Sequence, residues 1–326
     1  MKTRVAGLML ILLAVPAFAR GDGLPVNGLD GRAGVVSPDG AYRLVTFTGA
    51  RHTVVARLHT KGGDIARSRT IPGEYAVPAV AYDSSGSGLS QDGRTLVLIR
   101  PRTTIPQKST SLAILDARRF VVTKTIKLRG DFSFDAVSPD GSRIYLVQYL
   151  SLSRHNFDPS RYAVRSLDVR SARLDRAPIV DPREPDEKMG GLPVTRAMSP
   201  DGRWAYTLYS GSEHPFIHAL DTVGRTARCV DLDHLSNRED LFLMRLRLAD
   251  GGRALDVVRK GKSVMRMDTA TFAVSNPRPA AAARQPAPAP DRSEGPLLWP
   301  WVLAAAVLLA LGGVAARPLA RAGRSH

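Results

Sequence analysis

Short runs of alternating apolar and polar residues recur through the middle of the chain, each opening just after the same kind of turn. Residues 42–47, 95–99, 143–149, 204–209 and 254–258 are such runs, rich in Val, Leu, Ile, Tyr and Trp. A period of two carried by β-branched and aromatic side chains predicts half-buried strands. The turn ahead of them reads Ser-Pro-Asp-Gly at residues 37–40, 138–141 and 199–202. Ser90-Gln91-Asp92-Gly93 and Leu248-Ala249-Asp250-Gly251 are degraded copies. In such a turn Pro presets φ, Asp bonds amides ahead of it, and Gly accepts positive φ.

The five copies begin 53, 48, 61 and 49 residues apart. A turn returning at that interval marks one supersecondary unit copied along the chain. A second signature follows 20 to 30 residues after each turn, an apolar residue then Asp. It reads Leu115-Asp116, Leu167-Asp168, Leu220-Asp221 and Met267-Asp268, with Leu58-His59 as the weaker first copy. Strands flank it at residues 111–115, 162–167, 120–128 and 226–232. Each module therefore predicts four antiparallel strands, a to d, with the Asp-Gly turn joining a to b and the Leu-Asp turn joining c to d.

Five such modules with almost no helical periodicity predict an all-β fold, a β-propeller of about five four-stranded blades. A sixth blade would need residues 21–30, which are too Gly-rich. The paired signatures resemble the surface-layer and YVTN-type propeller repeats, and the Ser-Pro-Asp-Gly turn resembles that of TolB-like and WD40-like propellers. The resemblance covers residues 33–275 and implies the fold. It implies little about function, because such propellers include scaffolds, binding modules and a few enzymes.

The flanks predict where the chain sits. Lys2 and Arg4, a short apolar run at residues 5–15 and Ala17-Phe18-Ala19 have the form of a signal peptide, residues 1–19, followed by a lead-in over 20–32. Residues 297–316 are nearly all apolar and uncharged, the length of a transmembrane helix. Trp299 and Trp301 stand at one end of it. Arg317, Arg321 and Arg324 lie beyond the other, in a basic tail over 317–326 that the positive-inside rule assigns to the cytoplasm. A Pro/Ala-rich linker over 276–296 joins span to propeller. The expected protein is a single-pass cell-membrane protein with an extracytoplasmic propeller.

Charge sharpens the choice of partner. The chain carries a net +16 and a single cysteine, Cys229, expected as a small buried hydrophobe in a d strand. Outside the membrane, excess Arg points to a protein or an anionic envelope component rather than to nucleic acid. Strand alternation puts the b–c and d–a connections on the face opposite the repeated turns. That face holds the long loops at 101–110, 151–161, 181–193, 211–215 and 233–240, and loops on a rigid scaffold are where binding resides.

Its candidate ligand-face residues are Glu74, Asp131, Asp135, Arg154, His155, Asp158, Glu213 and His214. The seven histidines form no metal-ligating pair; His214 and His218 are four apart on what reads as one strand. No nucleophile elbow, phosphate loop or Cys-x-x-Cys occurs, so no cofactor, metal or catalytic set is expected. Asp39, Asp92, Asp140, Asp201 and Asp250 recur in every module and are expected to form turns, since a catalytic group is needed only once. The leading expectation is a non-catalytic binding scaffold. The alternative is a propeller hydrolase or lactonase with a metal at the channel mouth.

Overall fold

Four hydrogen bonds repeat at the head of four of the five modules. In the computed structural model the Tyr42 N–H donates to Ser37 Oγ (3.0 Å), Ser37 Oγ donates to Asp39 Oδ1 (2.5 Å), and Asp39 Oδ1 also accepts the Ala41 N–H (3.0 Å). The Gly40 N–H closes the turn on the Ser37 carbonyl at 2.8 Å. The same set forms around Ser90 and Asp92, Ser138 and Asp140, and Ser199 and Asp201. Ser and Asp thus satisfy the amides that the turn takes out of the ladder. The fifth copy lacks the serine; Asp250 instead takes the Arg266 guanidinium at 2.9 Å.

The structure describes residues 34–150, 161–186, 189–211, 214–236 and 239–276. The leader, nearly all of the linker, the apolar span and the basic tail lie outside them, as do Arg154, His155, Asp158 and Glu213. Among the described residues no helix is long and apolar enough to cross a membrane.

Among the described residues nineteen strands form five antiparallel sheets, each drawn from one stretch of chain. Blade 1 holds β1 (Val35–Val36), β2 (Tyr42–Gly49), β3 (His52–His59) and β4 (Ile65–Pro72). Blade 2 holds β5 (Thr95–Ile99), β6 (Ser109–Asp116) and β7 (Val121–Arg129). Blade 3 holds β8 (Phe132–Val137), β9 (Arg143–Tyr149), β10 (Tyr162–Asp168) and β11 (Arg173–Leu174). Blade 4 holds β12 (Pro193–Met198), β13 (Trp204–Tyr209), β14 (Phe216–Asp221) and β15 (Thr226–Asp231). Blade 5 holds β16 (Arg245–Ala249), β17 (Ala254–Arg259), β18 (Lys262–Asp268) and β19 (Val274–Ser275).

Blade 2 departs from the expected four strands. Its inner strand is broken: Ala76 bridges Ile99 and Leu89 bridges Leu96, with a hairpin between them in which Ala79 bridges Gly86. This excursion leaves the blade and crosses to the far side. The Tyr82 N–H donates to the Pro193 carbonyl (2.8 Å), the Asp83 N–H to that of Val194 (3.2 Å), and Arg245 pairs with Asp83 at 3.4 Å.

The Leu-Asp turns are as regular as the Asp-Gly turns. Asp116, Asp168, Asp221 and Asp268 each accept amides two to three residues ahead, and the fourth residue on, from Phe120 to Phe272, has φ of 57° to 60°. Bonds from the Arg119, Ser171 and Thr271 amides hold the Asp116, Asp168 and Asp268 carboxyls below the usual range.

Successive sheets stack face to face. Leu44 and Val55 meet Leu98 and Leu115 between blades 1 and 2, and Leu112 and Ile126 meet Phe134 and Leu146 between 2 and 3. Tyr145 and Val164 meet Ala205 and Leu220 between 3 and 4, and Leu208 and Ile217 meet Leu255 and Met265 between 4 and 5. One sheet alone leaves both faces wet; stacking buries them, which is the logic of a β-propeller. The turn ends also meet. Gln91 Nε2 donates to the Pro200 carbonyl (2.7 Å), and the Asp92 N–H donates to that of Pro139 (3.0 Å). A Cβ on Gly202 would stand 2.7 Å from Gln91, so glycine serves close approach as well as its φ of 73°.

Candidate functional site

The described acidic candidates of the ligand face, Glu74, Asp131 and Asp135, do not converge. Glu74 accepts the Arg51 N–H at 3.3 Å. Asp131, fully buried ahead of β8, accepts Arg102 Nε (3.0 Å) and Nη2 (2.8 Å) on one oxygen and the Gln107 N–H (3.0 Å) on the other. Arg102 also donates to Ser133 Oγ (2.9 Å) and lies 4.9 Å above the Tyr149 ring. One carboxylate thereby staples the loop between β5 and β6 onto blade 3. A buried, multiply bonded pair of this kind has little freedom to move.

Asp135 sits in a register shift of β8 between Phe134 and Ala136, which re-aims its side chain. It pairs with Arg196 of β12, which also donates from Nη1 to the Asp135 carbonyl at 2.9 Å. Both side chains are almost wholly buried. Behind Arg196 runs a polar row across blade 4, set by cross-strand register: Arg196 opposite Thr207, Thr207 opposite His218, His218 opposite Cys229. Asp135 Oδ2, Arg196 Nε, Thr207 Oγ1 and His218 Nε2 are buried without a hydrogen-bond partner among the described residues.

Burial pushes the His218 imidazole down to about 4, so it is neutral at physiological pH. Its Nδ1 lies 3.8 Å from Cys229 Sγ, and Cys229 is half-buried rather than fully so. His214 is not on the same strand as His218. It precedes β14 and meets Asp231 at 2.9 Å through Nε2. Among the described residues no three His, Cys, Asp or Glu side chains gather around a point where a cation would fit.

A different feature dominates the loop side. Over the outer strand of blade 2 opens a cleft of about 790 Å³, walled by the stapled loop and by β6 and β7. Arg100, Lys108, Lys127 and Arg129 line it with Ser109 and Ser111, and among the described residues no carboxylate does. Strand alternation explains β7. Ile126 and Leu128 enter the seam with blade 3, so Lys127 and Arg129 between and beyond them point the other way, into the cleft. The sequence reading missed these four cations. The alternation of Lys127 and Arg129 was legible, but their meeting with Arg100 and Lys108 depends on the fold of the loop.

No protein-family model and no curated protein sequence matches the chain. Among solved structures it is similar to the β-propeller domain of the trilobed protease from Pyrococcus furiosus, with 12% identity over 74% of this chain and 67% of that one, TM-score 0.42. It is similar to a β-propeller domain from Myceliophteria thermophila, with 11% identity over 82% and 70%, TM-score 0.41. It is also similar to a putative TolB from Agrobacterium tumefaciens, with 17% identity over 75% and 79%, TM-score 0.40. At these identities the likeness concerns fold alone, and the assignment of the chain as a β-propeller rests on its own five stacked sheets.

Proposed function

We propose that the protein is an exported, membrane-tethered β-propeller that works as a non-catalytic binding scaffold, presenting its loop face to a partner in the cell envelope. One observation carries the reading: among the described residues, Glu74, Asp131 and Asp135 of that face are used inside the fold. Asp131 fastens a loop, Asp135 holds Arg196 between two blades, and Glu74 takes a backbone amide. Carboxylates so engaged support rigid presentation of loops better than they support a metal-holding set. Rigid loops lose less entropy on binding. The export signal, the linker and the apolar span of the sequence support placement outside the membrane on a stalk.

The competing reading, a hydrolase or lactonase with a channel-mouth metal, needs Glu74, Asp131 and Asp135 to release their partners and converge. Topology is the first test. Protease added to spheroplasts should remove the propeller, while a reporter fused after His326 stays protected on the cytoplasmic side. A protected propeller, or a reporter exposed outside, overturns the tethered reading.

A further inference from the structure

The cleft over β7 names a ligand class. We propose that it binds a ligand carrying at least two phosphate groups, an inference that rests on the binding reading above and specifies its site. Four cations reach the cleft from three places: Arg100 just after β5, Lys108 from the loop, Lys127 and Arg129 from β7. All four are exposed. Like charges gathered in one concavity repel one another, and among the described residues no carboxylate lines the cleft to offset them.

Several arginines elsewhere in this protein pair with aspartates. Arg143 meets Asp175 at 3.0 Å, Arg203 meets Asp221 at 2.7 Å, Arg259 meets Asp240 at 2.9 Å and Arg266 meets Asp256 at 2.8 Å. Among the described residues none of the four cleft cations has an ion pair. The four cleft cations stand together in one concavity of about 790 Å³. A single carboxylate would leave most of the positive charge uncompensated; two phosphoryl groups would not. Guanidinium forks match phosphate oxygens in pairs, ammonium groups supply point charge, and the Ser109 and Ser111 hydroxyls add neutral donors.

The cleft is also built in advance. Asp131 pins both ends of the loop segment through Arg102 and the Gln107 amide, and the Gly130 N–H ties the base of the cleft to the Lys108 carbonyl at 2.9 Å. A volume near 790 Å³ accommodates a diphosphate with part of whatever bears it. Phosphate chemistry has two sources outside a membrane, a soluble diphosphate and a lipid headgroup, and the test separates them.

The full-length protein is placed in phosphatidylcholine nanodiscs and titrated with inorganic pyrophosphate by calorimetry, and in parallel with vesicles containing cardiolipin, whose headgroup carries two phosphates. Saturable binding to at least one probe is expected, pyrophosphate alone marking a soluble ligand and vesicles alone a headgroup. Lys127→Glu with Arg129→Glu should weaken it by about tenfold or more, as loss of two charge-assisted contacts demands. Arg67→Glu with Arg69→Glu, on the exposed strand β4 and of equal charge change, should leave it unaltered. The milder Lys127→Gln with Arg129→Gln guards against misfolding, and thermal melts check all three. No binding to either probe, or equal loss in the cleft and β4 variants, overturns the proposal. Inert probes with the expected membrane topology would remove this inference and leave the scaffold reading; reversed topology with binding intact would do the opposite.

Discussion

The two faces of the blade 4 sheet are built from alternate residues of the same strands, yet they are chemically unlike. Toward blade 5, β13 and β14 present Tyr206, Leu208, Ile217 and Ala219 to Leu246, Leu255 and Met265, an apolar seam. Toward blade 3 the same strands present Thr207 and His218 between Ala205 and Leu220, and Arg196 reaches across to Asp135. Small residues make room there: Ala136, Ala205 and Ala227 line the seam where leucines line the other. An apolar seam gains from area removed from water and tolerates imperfect geometry. A polar seam gains only while its charges and donors stay matched, because each orphaned group costs its desolvation. One sheet thus shows two ways of joining blades, one forgiving and one demanding.

The sharpest way to break the comparison is to remove one partner of the buried pair. Arg196→Ala leaves the Asp135 carboxylate buried and unpaired, an expected loss of about 3–5 kcal/mol in urea unfolding. Asp135→Leu combined with Arg196→Met should recover most of that stability, since replacing both charges with apolar groups is near neutral. A loss under about 1 kcal/mol for Arg196→Ala would mean that water reaches the seam and that the two faces are not so different.

Next in size is a pH effect confined to the polar face. The folded His218 binds a proton only near pH 4, the unfolded one near 6.5, so the unfolded state takes up the proton first as pH falls. Its contribution is complete above pH 6.5 and is lost progressively down to pH 4, roughly 3 kcal/mol at the low end. Asp135, Arg196 and Asp181 act on His218 alongside burial, the two carboxylates favouring the charged ring and the guanidinium opposing it. Unfolding measured at pH 7 and pH 4.5 should diverge for the parent and much less for His218→Leu. Parallel curves for the two proteins would exclude His218 as the source.

The smallest effect sharpens the other face. Ile217→Val removes one methylene from the apolar seam and should cost about 1 kcal/mol, equally at both pH values. Any pH dependence in that variant would show the two seams to be coupled through β14.

Much of the scaffold was readable from local signals. The strands expected at residues 143–149 and 204–209 coincide with β9 (Arg143–Tyr149) and β13 (Trp204–Tyr209), because a Ser-Pro-Asp-Gly turn and a two-residue period act within a few residues of themselves. The break in the blade 2 inner strand departs from the four strands the modules predict. Pro78 and the turn at Asp83–Ser85 give the break local causes, but where the excursion lands is set by Pro193, Val194 and Arg245, more than 100 residues away. Gln91 is similar: it reads as a lost proline until its amide is seen on the Pro200 carbonyl. Glu74, Asp131 and Asp135 stood out in the sequence only as candidates of the loop face. That Asp131 and Asp135 are engaged with Arg102 and Arg196 follows from contacts that residue order does not encode.

Turns and strand period belong to the chain read in one dimension, since their causes are torsions, short-range hydrogen bonds and the alternation of side chains. Which seam would be oily and which polar, where the excursion of blade 2 would land, and that Arg100, Lys108, Lys127 and Arg129 would share one cleft were settled by stacking. Those outcomes depend on which faces meet, and faces meet only when successive sheets stack on one another.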